Sequence, residues 1–341
     1  MTFAGEVLLS VRDLSVHFDT EDGDVHAVGG VSFDIHRGEV FAVVGESGSG
    51  KSVTAMSILG LLPTPPAVVG GTGILWHGED LLAASDQRMR EVRGGEIAMI
   101  FQDPLTALNP VHTVGRQIAE MVRIHRDMSK KAARAHAIEM LDLVGIPQAA
   151  TRVDMHPHEF SGGMRQRAMI AMAIACKPDL LIADEPTTAL DVTIQAQVLD
   201  VLLEIKDEID SAIMLITHDL GVVAGMADEV MVMYAGREVE RGTVDEIFYS
   251  SAHPYTVGLL GSLPRMDDPD AELRPIGGQP PSLINVPSGC PFHPRCPYAQ
   301  LPDPCATIAP APAEVGDGTG RHVSACHYAD ALSRGTLEVR P

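Results

Sequence analysis

No stretch of the 341 residues contains the roughly 18 consecutive apolar side chains that a membrane-crossing helix needs. The densest apolar run, Ala168 to Cys176, stops at Lys177-Pro178-Asp179, so the chain is expected not to cross a bilayer by itself. Met1 to Val11 lack a basic start, a long apolar stretch and a small-residue cleavage site, which predicts no signal peptide and a cytoplasmic location. Basic charge is also scarce. Lys and Arg number 25 against 46 Asp and Glu, a formal net charge of -21, which opposes sequence-independent attraction to nucleic acid or anionic lipid. Any membrane attachment is therefore expected through protein. The acidity serves solubility equally well, and no function is read from it. Five cysteines in such a chain argue against a disulfide framework and leave metal binding or inert burial. There is no internal repeat, long heptad array or low-complexity tract.

What is present is a 45% hydrophobic composition, enough to fill a core. Fifteen of the 24 prolines and four of the five cysteines lie beyond position 250, so a boundary is expected there: a main domain over 6–250 and an extension over 251–341. Val40 to Gly45, Leu180 to Asp184 and Ala212 to Thr217 are continuous apolar runs, the pattern of buried parallel strands in an α/β fold. Leu8 to Phe18, Val31 to Ile35 and Val230 to Val239 alternate instead, as a half-exposed antiparallel sheet would, with a turn at Ala235-Gly236-Arg237. Between the first two central strands, about Leu105 to Met155 reads as helical. Its clearest helix begins at Ser129 as N-cap, carries Ala133, Ala137, Met140, Leu141 and Val144 on one face and ends at Gly145. Cys176, within an apolar helical run, is expected to be core packing.

Gly45-Glu46-Ser47-Gly48-Ser49-Gly50-Lys51-Ser52 fits the phosphate-loop pattern, after a strand and at the start of a helix. Its glycines let successive N–H groups face a phosphate, Lys51 would reach the β and γ phosphates, and the Ser52 hydroxyl would ligate Mg²⁺. The strand Leu180 to Ala183 delivers Asp184-Glu185 at its C-terminal end, where Asp184 would hold the Mg²⁺ shell and Glu185 would act as general base toward water. Together these point to nucleotide hydrolysis.

Phe160-Ser161-Gly162-Gly163-Met164-Arg165-Gln166-Arg167 resembles the signature sequence of ATP-binding cassette (ABC) proteins, with Phe and Met at the outer positions and Ser161, Gly162 and Gly163 intact. Other landmarks fall in that family's order. Gln102 resembles the loop residue that touches Mg²⁺ and water, Ala189-Leu190-Asp191 the segment that crosses a dimer interface, His218 the switch histidine on the γ-phosphate, and Phe18 the aromatic that stacks on adenine. Taken singly, each has an ordinary structural reading; their order and spacing do not. Pro157-His158-Glu159, His253-Pro254-Tyr255-Thr256 and the Cys-rich tail resemble the ATPases of oligopeptide and dipeptide importers, a pattern that nickel importers share.

The resemblance implies an ABC-type P-loop NTPase: a RecA-like core with an antiparallel β subdomain, an inserted helical subdomain over about 103–165 and a small irregular extension. It implies an ATPase at the cytoplasmic face of the membrane, paired head to tail with a second cassette, normally a different chain. Each ATP would lie between one phosphate loop and the opposite Ser-Gly-Gly. Two integral permease subunits and, indirectly, an extracellular solute-binding protein are the other implied partners, with no nucleic acid. A soluble ABC ATPase outside transport is the rival, and it normally shows two cassettes or a coiled-coil insertion, neither of which occurs here.

Cys290, Cys296, Cys305 and Cys326 have five, eight and twenty residues between them. Zinc sites usually use ligand pairs two to four residues apart, which are missing here, so the spacing favours an iron–sulfur cluster; the resemblance implies [4Fe–4S]. Zn²⁺ and unliganded thiols remain alternatives. His293, His322 and His327 are near enough in sequence to replace a ligand, though ordinary placement in a loop is the expected reading.

Overall fold

The computed structural model describes residues 5–188, 190–263, 275–316 and 322–337. The chain divides into two compact units, one of residues 1–10, 34–39 and 75–216, the other of 11–33, 40–74 and 217–341.

The first unit is built on three parallel strands, Ile97–Ile100, Leu180–Asp184 and Ala212–Thr217, with Leu180 opposite Ile97 on one side and Ala212 on the other. Every residue of the two later strands is buried, which is why they read as unbroken apolar runs. Helices Val114–His125, Lys130–Leu143 and Gly162–Ile174 pack against one another in the same unit. The middle helix starts where the sequence predicts. The Ser129 hydroxyl accepts from the Ala132 N–H, Ala133, Ala137, Met140, Leu141 and Val144 are buried, and Gly145 closes the helix at φ 72°. Cys176 is buried, its thiol pKa raised by that burial, as expected of an inert core residue.

The second unit pairs Val40–Val44 in parallel with Glu229–Tyr234, which turns back antiparallel onto Arg237–Thr243. Ala235 and Gly236 form the two-residue turn with φ of 49° and 77°, the left-handed pair that a tight hairpin requires. Two short strands, Val323–Ser324 and Ala313–Glu314, continue the sheet. From Val11 on, the strand Val7–Thr20 belongs to this unit and pairs antiparallel with Ala67–Gly70. The C-terminal residues share its core: Phe292 meets the rings of Tyr234 and Tyr255 at 5.2 and 5.4 Å. Glu240, fully buried on the second hairpin strand, accepts from His322 Nε2 at 2.8 Å and from the N–H groups of Ala252 and His253. A buried carboxylate needs such partners, so His322 is committed here.

In the first unit, buried Trp76 donates its indole N–H to Glu96 at 2.6 Å, while Arg88 grips the same carboxylate with two nitrogens at 2.5 and 3.0 Å. The Arg88 guanidinium, more than the indole, holds the Glu96 pKa below its ordinary value. A carboxylate with a depressed folded pKa contributes stability above its unfolded pKa and loses it as pH falls through the folded one. Glu96→Gln is therefore expected to cost about 1 kcal/mol at pH 7. In thermal melts the gap from wild type should narrow below the ordinary carboxylate range; a gap that stays constant into acid would assign the effect to packing.

Candidate nucleotide site

The Gly45–Ser52 loop follows the buried strand Val40–Val44 and leads into the helix Lys51–Ile58. Three of its glycines have φ that other residues rarely adopt: 154° at Gly45, 78° at Gly48 and 101° at Gly50. At Gly45 an added Cβ would lie 2.2 Å from the Met233 carbonyl oxygen, and at Gly50 it would lie 2.4 Å from that of Ala27. Gly48 and Ser47 form the open front of the loop, and among the described residues nothing stands within 4 Å of a Cβ at Gly48. Lys51 is buried and donates to the carbonyls of Gly45 and Glu46 at 2.8 and 3.0 Å. Among the described residues the buried Ser49 hydroxyl has no hydrogen-bond partner. A backbone cradle, a helix start, a lysine and an orphan hydroxyl together fit a polyphosphate.

Glu46 carries contacts that the sequence did not announce. Its N–H donates to Tyr255 Oη at 2.8 Å, and its carboxylate is held by Arg295 through Nη1 and Nη2 at 2.7 and 3.0 Å. Elsewhere in this second unit, His218 is exposed and lines a cleft with Gly45 and Glu46. Phe18 is half-buried on its strand rather than in the core.

In the first unit, Asp184 ends its strand with its side chain buried, and Glu185 follows at φ 47°. A left-handed glutamate is strained, and such residues cluster at functional sites. The Glu185 carboxylate accepts from Gln102 Nε2 and Thr188 Oγ1, each at 2.8 Å. Gln102 and Glu185, 83 residues apart, are thus brought together. Thr188 was not singled out by sequence, though its place three residues after Glu185 is suited to reaching back.

Ser161 caps the helix Gly162–Ile174, accepting from the Met164 N–H. Ser161, Gly162 and Gly163 border an open cleft of about 560 Å³ together with Arg167 and Asp191. Asp191 also caps its own helix, Val192–Ile209, by accepting from the Ile194 N–H at 3.0 Å. Ala189 lies outside the described residues.

All four tail cysteines line one cavity, with His253, Phe292, His293 and His327 among its other walls. Burial raises the thiol pKa of Cys290, and pushes those of Cys296 and Cys326 up to about 12, with neighbouring cysteines adding to the rise. Among the described residues no three His, Cys, Asp or Glu side chains are arranged to hold a metal ion.

Residues 28–188 match the family model described as ABC transporter, and residues 239–302 the one described as Oligopeptide/dipeptide transporter, C-terminal region. The dipeptide transport ATP-binding protein DppD of Bacillus subtilis is 59% identical over 292 residues, 86% of this chain and 87% of that one. The chain belongs to the ABC transporter family. The dipeptide transport ATP-binding protein DppD of Escherichia coli is 48% identical over 331 residues, covering 97% of this ABC chain and 99% of its own. Among solved structures, cbiO1 of Clostridium perfringens, part of the ABC transporter complex cbiONQ, superposes with a TM-score of 0.60 at 28% identity, over 71% of this chain and 91% of that one. The fold is that of ABC ATPases, as the signature motif implies. No helix of the described residues is long and apolar enough to cross a membrane.

The ABC phosphate loop yields a graded prediction. Gly48→Ala meets no atom and suffers only its left-handed φ, so about 1–2 kcal/mol is expected. Gly50→Ala also drives a methyl into a backbone carbonyl, and a loss of more than about 4 kcal/mol is expected, of the kind seen when a core is overfilled. Urea denaturation of the two variants side by side checks the order; equal losses would mean that φ alone governs the loop.

Proposed function

We propose that this chain is the ATP-hydrolysing subunit of an importer of dipeptides or oligopeptides, acting as one of two paired cassettes. The observation that carries the reading is the open cleft at Ser161–Gly163, at the start of the helix Gly162–Ile174, which we read as a second anion site with no phosphate loop nearby in the sequence. A helix start that presents a serine and two glycines to solvent suits the phosphates of a nucleotide held by another subunit. The relatives named for dipeptide transport, and the match to the C-terminal region of such transporters, support the cargo.

In the proposed cycle, Phe18 stacks on adenine, and Lys51 and the loop N–H groups at Ser47 to Ser52 bind the β and γ phosphates. Mg²⁺, held by Ser52, Asp184 and Gln102, would neutralise charge on those phosphates. Glu185 takes a proton from water as the water oxygen bonds to the γ phosphorus and the bond to the ADP oxygen breaks. Gln102 and Thr188 keep the Glu185 carboxylate aimed, and His218 contacts the γ-phosphate. Asp191 lies in the segment facing the partner cassette. Tighter binding of ATP to the closed pair than to the open one supplies the motion. Two permease subunits dock beside the Gln102 loop at the cytoplasmic face of the membrane, a placement supported by exposed Leu105 and Val111. A solute-binding protein delivers cargo on the far side, and the partner cassette is a different chain. The cassette domain is assigned to 6–250, its helical subdomain to about 103–165 and the extension to 251–341.

Glu185→Gln should bind ATP, lose about 10²–10⁴-fold in turnover and accumulate ATP-bound dimers on gel filtration. Undiminished steady-state hydrolysis would remove Glu185 from its role.

The same reading assigns a [4Fe–4S] cluster to Cys290, Cys296, Cys305 and Cys326. Their shared cavity supports it. Anaerobically purified protein is expected to be brown and to contain iron and sulfide. Colourless protein with stoichiometric zinc would refute the assignment.

A further inference from the structure

We propose that the C-terminal extension acts on the nucleotide site through Arg295, a positioning residue that fixes the phosphate loop by its grip on Glu46. The proposal rests on the reading of that loop as the ATP site. Arg295 closes a short 3₁₀ turn, His293–Arg295, directly before Cys296. Its side chain is only 5% exposed, and its two terminal nitrogens meet the two oxygens of Glu46 at 2.7 and 3.0 Å. The guanidinium is fixed from other directions as well: Nε donates to the Gly277 carbonyl at 2.9 Å, Nη1 to Tyr234 Oη at 3.3 Å, and the rings of Tyr234 and Phe292 lie 5.7 and 5.9 Å away. A planar fork held on all sides is a rigid anchor, whereas a surface ion pair would not be.

Glu46 is the point where the anchor reaches the loop. Its N–H is bound to Tyr255 Oη, and its carbonyl accepts from Lys51 Nζ at 3.0 Å and from the Ser49 N–H at 3.2 Å. Side chain, N–H and carbonyl of this one residue are therefore all engaged, two of them by residues beyond position 250. With the residue fixed, the N–H groups that follow it stay directed at the phosphates, and Lys51 stays seated on the loop carbonyls. Release of Arg295 leaves the Glu46 side chain without its anchor, and the loop must then be ordered by the nucleotide, which weakens binding. The turn that carries Arg295 lies between Cys290 and Cys296, so anything that reshapes the cysteine cavity also moves the anchor.

The test is a double-mutant cycle in the full-length chain, with Mg-ATP affinity read by displacement of a fluorescent ATP analogue. Arg295→Met and Glu46→Gln are each expected to weaken Mg-ATP by about tenfold, the double variant no more than the worse single one, and Arg295→Lys by an intermediate factor. Ser324→Ala is the control for a merely structural role. It removes a buried hydrogen bond from Ser324 Oγ to the Ala252 carbonyl, so it should lower the melting temperature and leave the affinity unchanged. If Arg295→Met does not fold, Glu46→Gln, altered at a part-exposed carboxylate, carries the test. Folded variants with affinities within twofold of wild type, or factors that multiply in the double variant, overturn the proposal alone. A wild-type chain that binds no Mg-ATP overturns the nucleotide reading and this proposal with it.

Discussion

The phosphate loop has no room for side chains where it passes closest to the rest of its unit. Gly45 lies against the carbonyl of Met233 and Gly50 against that of Ala27, so the loop is moulded by two backbone strands rather than by side-chain packing. Backbone oxygens cannot rotate away as a leucine side chain can. The tight hairpin at Ala235-Gly236 is tied to the same place: the Gly236 N–H donates to the Ser49 carbonyl, and the Gly29 N–H to the Gly236 carbonyl. Glu229–Tyr234, buried nearly throughout rather than half-exposed as its alternation suggests and parallel to Val40–Val44, thus forms the mould of the loop together with the strand that carries Ala27 and the Ala235-Gly236 turn.

The first unit uses side chains instead. Glu185 sits in a backbone conformation that costs free energy, held by the neighbouring Ile216 carbonyl, which accepts from its N–H, and by Gln102 and Thr188 on its carboxylate. Strain of this kind persists only when several contacts over-determine the position. It leaves the carboxylate fixed before any ligand arrives, which suits the general-base role proposed for it. In the proposed cycle the loop and the acid are therefore prepared by different means, glycine at the loop and hydrogen bonding at the acid.

Much of this was legible in the sequence because it is local. Continuous apolar runs gave the buried strands, and Ser129 with its apolar face gave a helix whose cap and end agree with the structure. The ordered motifs gave the family. Features that depend on pairing across the chain were not legible. Sequence spacing puts His322 within reach of the cysteines, with loop placement the readier reading, and neither anticipates that its ring is committed to Glu240, a buried carboxylate that no local pattern marks as needing a partner. Phe18 has an ordinary core reading by residue type and is only half-buried. Nothing local marks Arg295, since a fork that reaches Glu46 leaves no periodicity to detect.

The separation of that last pair has a consequence for how the protein is made. Glu46 and Arg295 are 249 residues apart in the chain. At about 5–20 residues per second, a ribosome needs roughly 12 to 50 s to add Arg295 after the loop residue. During that interval the nascent loop exists without its anchor. A chain broken off in the proline-rich region carries every nucleotide motif and yet never receives the residue that holds the first of them, so translation of the tail doubles as the last step in finishing the site at the other end.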